Sequence, residues 1–229
     1  MPLTHHWLTH AGLRTADNRD AYTQAQRTEA ALYFVADGSS SRPGSGELAH
    51  ALADYLHTAF LQLPTAVLSR DALAPALCAA LRDARLELGR RYPQAACSYL
   101  LLALLPEAAF SLHEGDCCLG QLDSVGNIQW LNAPHCQANW RGTSSHADLA
   151  RDPARHRLTR CFSARRQPVP QLSHWPLATA PQWLLATDGF WADLTPPQQS
   201  EFLHNGQVTQ ADTDDDISCL LVSAPRAVT

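Results

Sequence analysis

The sequence predicts an α+β fold in which sheet packs on sheet and helices lie outside. Two observations carry that prediction. Helix-length stretches with an apolar stripe come early, between residues 44 and 93, and short apolar runs of strand length flank them on both sides. After residue 98 those runs follow one another across Gly-, Asp- and Asn-containing turns, the pattern of an antiparallel meander.

The elements follow in order. Residues 31–36 (ALYFVA) form a short apolar run ending at Asp37-Gly38, a buried strand and then a loop. Gly44-Ser45-Gly46 opens a helix with Leu48, Leu52, Tyr55, Leu56 and Phe60 near one face. A second helix is expected from an N-cap at Ser69 or Asp71, striped by Leu73, Leu77, Leu81, Leu86 and Leu88 and stopped by Gly89 and Pro93. Strands are expected at 98–105, 108–114, 117–122 and 128–131, with Gly115-Asp116 as a tight turn inside the meander. Residues 133–175 are polar, Arg-rich and weakly periodic, which predicts a flap-like insertion of irregular chain and short helices over the core, broken at Pro168 and Pro170. Residues 183–186 and 217–222 are the last strands; the first runs into Thr187-Asp188-Gly189 and the second follows Asp212-Thr213-Asp214-Asp215-Asp216.

Bulk properties narrow the class. The 229 residues suit a single domain spanning 1–229, and 45% of them are hydrophobic, so a sizeable core can form. The net charge is −5 and the sequence pI is about 6.1, which argues against a nucleic-acid binder; all 17 basic residues are Arg, a mark of base composition and not of chemistry. No run of 18 apolar residues predicts a membrane span, and the start lacks a signal-peptide pattern. Seven Cys without a CxxC read as reduced core thiols, so a cytoplasmic protein is expected.

The chemistry lies in where the aspartates sit. Asp37 and Asp188 each follow an apolar strand, Asp215 precedes one, Asp116 sits between strands, and Asp20 follows Asn18-Arg19. Taken singly, an Asp-Gly after a strand is a turn, and residues 212–216 are a solvated loop without the Gly and Glu positions of an EF-hand. Aspartates converging at one sheet edge repel each other, and hard divalent cations relieve that repulsion.

Order and context give these pieces more meaning. The chain resembles the protein phosphatase 2C family of metal-dependent serine/threonine phosphatases, bacterial members in particular. The family's G-x-x-R-x-x-N-E-D is matched by Gly12-Leu13-Arg14-Thr15-Ala16-Asp17-Asn18-Arg19-Asp20. Its D-G and later G-E-x-A are matched by Asp37-Gly38 and Gly46-Glu47-Leu48-Ala49, its G-D-S-R by Gly115-Asp116-Cys117-Cys118, and its T-R by Thr159-Arg160. Leu185-Ala186-Thr187-Asp188-Gly189-Phe190-Trp191-Ala192-Asp193 and Asp215-Asp216-Ile217-Ser218 match the last two motifs.

The resemblance implies a four-layer α/β-β/α sandwich of two antiparallel sheets with a metal cleft at one edge. It implies Mn²⁺ or Mg²⁺, two ions and a third in bacterial members. Asp37, the Gly38 carbonyl, Asp188 and Asp215 would be ligands; Asp116 with Asp188 would hold the third ion, and Asp20 would orient the attacking water. The implied reaction is hydrolysis of phosphoserine or phosphothreonine in a protein, the substrate being a Ser/Thr kinase or its target, with no covalent enzyme intermediate. No Cys starts the C-x5-R loop of a cysteine phosphatase.

The chain departs from the pattern at Arg19, where the family has an acid, and at Thr15, where it has the phosphate-binding Arg; Arg14 or Arg19 is then expected to grip phosphate. The loop after Asp37-Gly38 lacks the His of some eukaryotic members. Two rival readings stand: a family member that has lost turnover and binds phosphoproteins, and a metallohydrolase of small phosphate esters. Other features carry less. His5, His6 and His10 would need further ligands for zinc, His113-Glu114 is not HExxH, and Gly44-x-Gly46 is too short for a nucleotide loop. Ser39-Ser40-Ser41 is no hydrolase elbow, and Trp183 and Trp191 are expected in the core.

Overall fold

The computed structural model describes residues 3–176, 182–207 and 214–223. Strands β1 (Thr4–His10), β2 (Asp20–Gln26) and β3 (Ala31–Gly38) precede helices α1 (Ser45–Gln62) and α2 (Leu73–Arg91). Then come β4 (Ala96–Leu105), β5 (Ala108–Glu114), β6 (Cys118–Leu122), β7 (Ile128–Trp130), α3 (His146–Arg151), β8 (Phe162–Ser163) and β9 (Gln171–Trp175). The chain continues through β10 (Gln182–Ala186), α4 (Asp188–Trp191), α5 (Pro196–Asn205) and β11 (Ile217–Ser223). One sheet runs β1-β11-β10-β6-β7 and the other β2-β3-β4-β5-β9, with β8 paired to β4; every pairing is antiparallel.

The layers follow from strands buried on both faces. Along β3, Leu32, Phe34 and Ala36 face α1 and α2, while Ala31, Tyr33 and Val35 face the other sheet. Side chains alternate along a strand, so a strand covered on both sides reads as an unbroken apolar run. β10 and β11 repeat the arrangement: Trp183, Leu185, Leu220 and Val222 fill the space between sheets, and Leu184, Ala186 and Cys219 pack with Phe190, Trp191 and Phe202 of α4 and α5. The expected α/β-β/α sandwich is the observed one.

The meander is where the expectation needs correcting. β4 and β5 pair in one sheet, but β6 and β7 belong to the other. Gly115-Asp116 is therefore a crossover between sheets, not a hairpin turn. Gly115 has φ 107°, and a Cβ there would lie 2.3 Å from Ser98 Oγ, so no other residue fits. The crossover places Asp116 between the two sheets.

Other differences are local. α2 starts at Leu73 after Ala72, and neither Ser69 nor Asp71 caps it with a side chain; its entry is held by Leu73 N–H donating to the Ser69 carbonyl. Leu86 is 57% exposed because Leu73, Leu77, Leu81, Ala84 and Leu88 already complete one stripe. The helix runs through Gly89 to Arg91; a Cβ on Gly89 would come within 3.0 Å of Ala164, so close packing, not termination, explains the glycine. β1 and β2 had no strand signal: β1 is an edge strand whose only buried residue is Leu8. His5 lies on the opposite face of β1 from His6 and His10, so the three share no face. In the insertion, short helices stand at 137–139, 146–151 and 153–156, as expected, but its last five residues form β9 on the sheet edge. Asp212 and Thr213 lie outside the described residues. The seven cysteines are free thiols, and no described helix is long and apolar enough to cross a membrane.

His113 supplies a test of the crossover region. Its ring is buried, stacks on His135 at 4.4 Å, and shares Nε2 with the Ala133 carbonyl. Burial and the neighbouring His135 depress its pKa from 6.5 to about 4. A depressed value means its contribution is present above pH 6.5 and is lost as pH falls toward 4. Relative to His113→Leu, the wild type should lose up to roughly 3 kcal/mol between pH 7 and 4 in denaturant titrations. A pH-independent difference would contradict the buried neutral ring.

Candidate active site

The two sheets bring five aspartates to one edge. Asp37 is the penultimate residue of β3, opposite Asp20 of β2 on one side and Ser98 of β4 on the other. Asp116 follows the crossover, Asp188 opens α4 after β10, and Asp215 leads into β11. Asp188 is the common neighbour: its charge raises the pKa of Asp20, Asp37, Asp116 and Asp215. All five predicted acids therefore meet in one cluster.

Glycines set the close approaches. A Cβ on Gly38 would lie 2.5 Å from the Ser45 carbonyl oxygen, on Gly189 2.1 Å from the Asp216 oxygen, and on Gly12 2.4 Å from Asp215 backbone. The Asp215-Asp216 segment is thus wedged between the Gly12 turn and α4. Asp216 locks it by accepting from Gly12 N (2.8 Å) and Arg19 N (2.7 Å). Sequence reasoning gave Asp216 no role; its task is to tie the N-terminal loop to the start of β11.

The electrostatics are those of crowded anions. Asp37 is pushed well above the ordinary carboxylate range, first by burial and then by Asp188, Asp20, Asp116 and Asp215. Burial and Asp188 push Asp116 up to about 7, against a 2.6 Å hydrogen bond from Ser98 Oγ. Asp20 is raised mainly by burial; Thr187 Oγ1 donates to its Oδ2 at 2.9 Å, while its Oδ1 is buried without a hydrogen-bond partner. An unpartnered buried carboxylate oxygen is costly unless a cation or water serves it.

Two guanidiniums answer part of this charge. Arg14 Nη1 lies 2.9 Å from Asp215 Oδ2. Arg155, only 7% exposed, places Nη1 3.1 Å from Asp188 Oδ2 and bonds Asp193 Oδ1 through Nη2. Arg155 sits in the 153–156 turn, which Asp152 caps by accepting from Ala154 N. Nothing in the sequence marks it: it is one of seven arginines in a weakly periodic stretch. Arg19 is placed differently; its Nη1 donates to the Ser39 and Arg42 carbonyls and its Nε faces Asp17, so it braces the loop after Gly38. Among the described residues, no three His, Cys, Asp or Glu side chains converge tightly enough, as they stand, to hold an ion. The guanidiniums on Asp188 and Asp215 fit that looseness.

The chain matches the model of the family described as protein phosphatase 2C over residues 11–221. It belongs to the protein phosphatase 2C family. The serine/threonine phosphatase of S. agalactiae has the same fold at 17% identity, with TM-score 0.78 and 96% of this chain and 99% of that one covered. Stp1 of Staphylococcus aureus follows at 14% identity and TM-score 0.81, covering 98% and 96%. PppA of Pseudomonas aeruginosa, described as a key regulatory component of T6SS, matches at 21% identity and TM-score 0.74, covering 97% and 98%. A comparison with curated protein sequences gave no match.

Within this phosphatase 2C fold the Arg155 fork is the testable departure from a purely acidic cleft. Removing one partner of a buried ion pair strands the other charge. Arg155→Ala should lower the unfolding free energy of the metal-free protein by about 3 kcal/mol in denaturant titrations. Arg155→Lys should recover only part, because an ammonium cannot reach two carboxylates in the fork geometry. A loss indistinguishable from zero in Arg155→Ala would show the pair to be solvated.

Proposed function

We propose that the chain hydrolyses phosphoserine or phosphothreonine in proteins, with divalent cations held by Asp37, the Gly38 carbonyl, Asp188 and Asp215, and a further one by Asp116 with Asp188. The observation that carries this reading is the convergence of five aspartates, with Asp20 Oδ1 left unpartnered, inside the phosphatase 2C fold. The donors are hard oxygens, a set that suits Mg²⁺ or Mn²⁺ and not zinc or copper. Such cations, when bound, acidify water and neutralise phosphoryl oxygens.

The remaining work falls to side chains of this chain. Asp20, held by Thr187 Oγ1, orients the attacking water through its free Oδ1. Arg14 is half-exposed beside Asp215 and would be free to grip phosphate if that carboxylate held a cation. Arg19 is committed to loop carbonyls and supports Gly38 without touching substrate. The buried thiols have pKa values raised by burial, so none serves as a nucleophile. The substrate is a protein phosphorylated by a Ser/Thr kinase that this activity opposes, in the cytoplasm.

One set of observations favours a second reading, a regulatory module without turnover. Guanidiniums stand on Asp188 and Asp215, and Arg19 replaces an acid. The two readings separate in one experiment. Wild type should hydrolyse p-nitrophenyl phosphate and phosphopeptides only with Mn²⁺ or Mg²⁺, and Asp37→Asn or Asp188→Asn should lower the rate about 100-fold or more. Arg14→Ala should raise the Michaelis constant with less effect on kcat. Mn²⁺ binding by calorimetry without turnover would establish the regulatory reading instead.

A further inference from the structure

Charge is distributed unevenly along the chain. The insertion at 133–175 carries seven of the 17 Arg but only two of the 22 acidic residues, so a basic segment lies over an acidic protein. Part of that charge is spent internally: Arg155 on Asp188 and Asp193, Arg151 on Asp148, Arg157 on Gln137. Arg141, Arg160 and Arg166 form no salt bridge among the described residues. They line one recess of about 550 Å³, together with His135 and Trp140. Among the described residues no carboxylate lines it. Glu114, which feels Arg160 and Arg166 through space, is buried and already accepts from Tyr99 and Val169, so two of the three guanidiniums share one buried acid.

Trp140 is the second observation. Its indole is 73% exposed, with the Arg141 guanidinium 4.6 Å over the ring. A bare indole beside unpaired arginines is the composition of a protein-recognition surface, since Trp and Arg dominate such contacts. The recess also adjoins the acid cluster. His135 N donates to the Gly115 carbonyl at 2.8 Å, and Gly115 N–H donates back to His135 Nδ1 at 3.3 Å. Gly115 precedes Asp116, so the recess wall and the candidate cation site share one turn.

We propose that this recess docks an acidic segment of the protein substrate, Asp- or Glu-rich and adjacent in sequence to the phosphorylated residue, by charge complementarity with Arg141, Arg160 and Arg166. The idea rests on the phosphatase reading for its orientation, though the docking itself needs no turnover. The metal-free aspartate cluster would repel such a segment, while the basic recess beside it attracts it. Arg166 also donates to the Thr159 carbonyl, which fixes one wall; Arg141 and Arg160 are the freer pair.

The test is fluorescence anisotropy with short labelled peptides that carry no phosphate. An Asp/Glu-rich peptide should bind wild type, its Asn/Gln counterpart should not, and Arg141→Ala/Arg160→Ala should weaken binding about tenfold. Arg151→Ala, on the same insertion but paired with Asp148, is the control and should bind as wild type. In turnover, wild type should show a lower Michaelis constant for acid-flanked than for neutral-flanked phosphopeptides, a preference the double variant loses. Equal binding of acidic and neutral peptides, or unchanged binding by the double variant, overturns the proposal. So does an oligonucleotide that binds the same arginines more tightly than the acidic peptide. If the acidic peptide binds through Arg141 and Arg160 while no phosphopeptide is hydrolysed, docking stands and the phosphatase reading falls.

Discussion

Carboxylate repulsion at the meeting edge of the two sheets is the constraint on which the rest of the structure depends. Asp20, Asp37, Asp116, Asp188 and Asp215 are brought close enough that each acid other than Asp188 is raised by the charge of Asp188. Folding alone gives no reason to assemble anions in a buried place. The fold holds them there because the surrounding backbone is fixed by apolar burial on both faces of β3, β4, β10 and β11.

The means of holding are varied. Hydroxyls of Ser98 and Thr187 donate to Asp116 and Asp20, and guanidiniums of Arg14 and Arg155 stand against Asp215 and Asp188. Gly12, Gly38 and Gly189 let backbones approach where a Cβ would collide. Arg155 links the insertion to the cleft, so residues 133–175 and the acid cluster are mechanically joined. That coupling follows from a buried fork, which moves as a unit or not at all.

The sandwich was legible in the sequence because its central strands are buried on both sides and its early helices carry clear stripes. β1 and β2 were not legible: an edge strand with one buried residue has almost no pattern to read. The Gly115-Asp116 crossover looked like a hairpin turn because local sequence does not say which sheet a strand joins. The acid positions were legible through ordered motifs, since each sits at or within two residues of a strand end. Arg155 and Asp216 were not, because their roles arise from partners 33 and 197 residues away in sequence, Asp188 and Arg19. Gly189 reads as a turn residue, yet its function is to admit the Asp216 carbonyl.

The central claim is that this acid cluster is a divalent-cation site whose anions are held in part by arginine until a cation arrives. The most direct measurement is a crystal structure of the protein grown with Mn²⁺, with anomalous scattering to locate the ions. The account predicts ions against Asp37 and Asp188 oxygens, with Arg14 moved off Asp215. Well-ordered acids without any anomalous signal, with Arg14 and Arg155 still on their carboxylates, would contradict it.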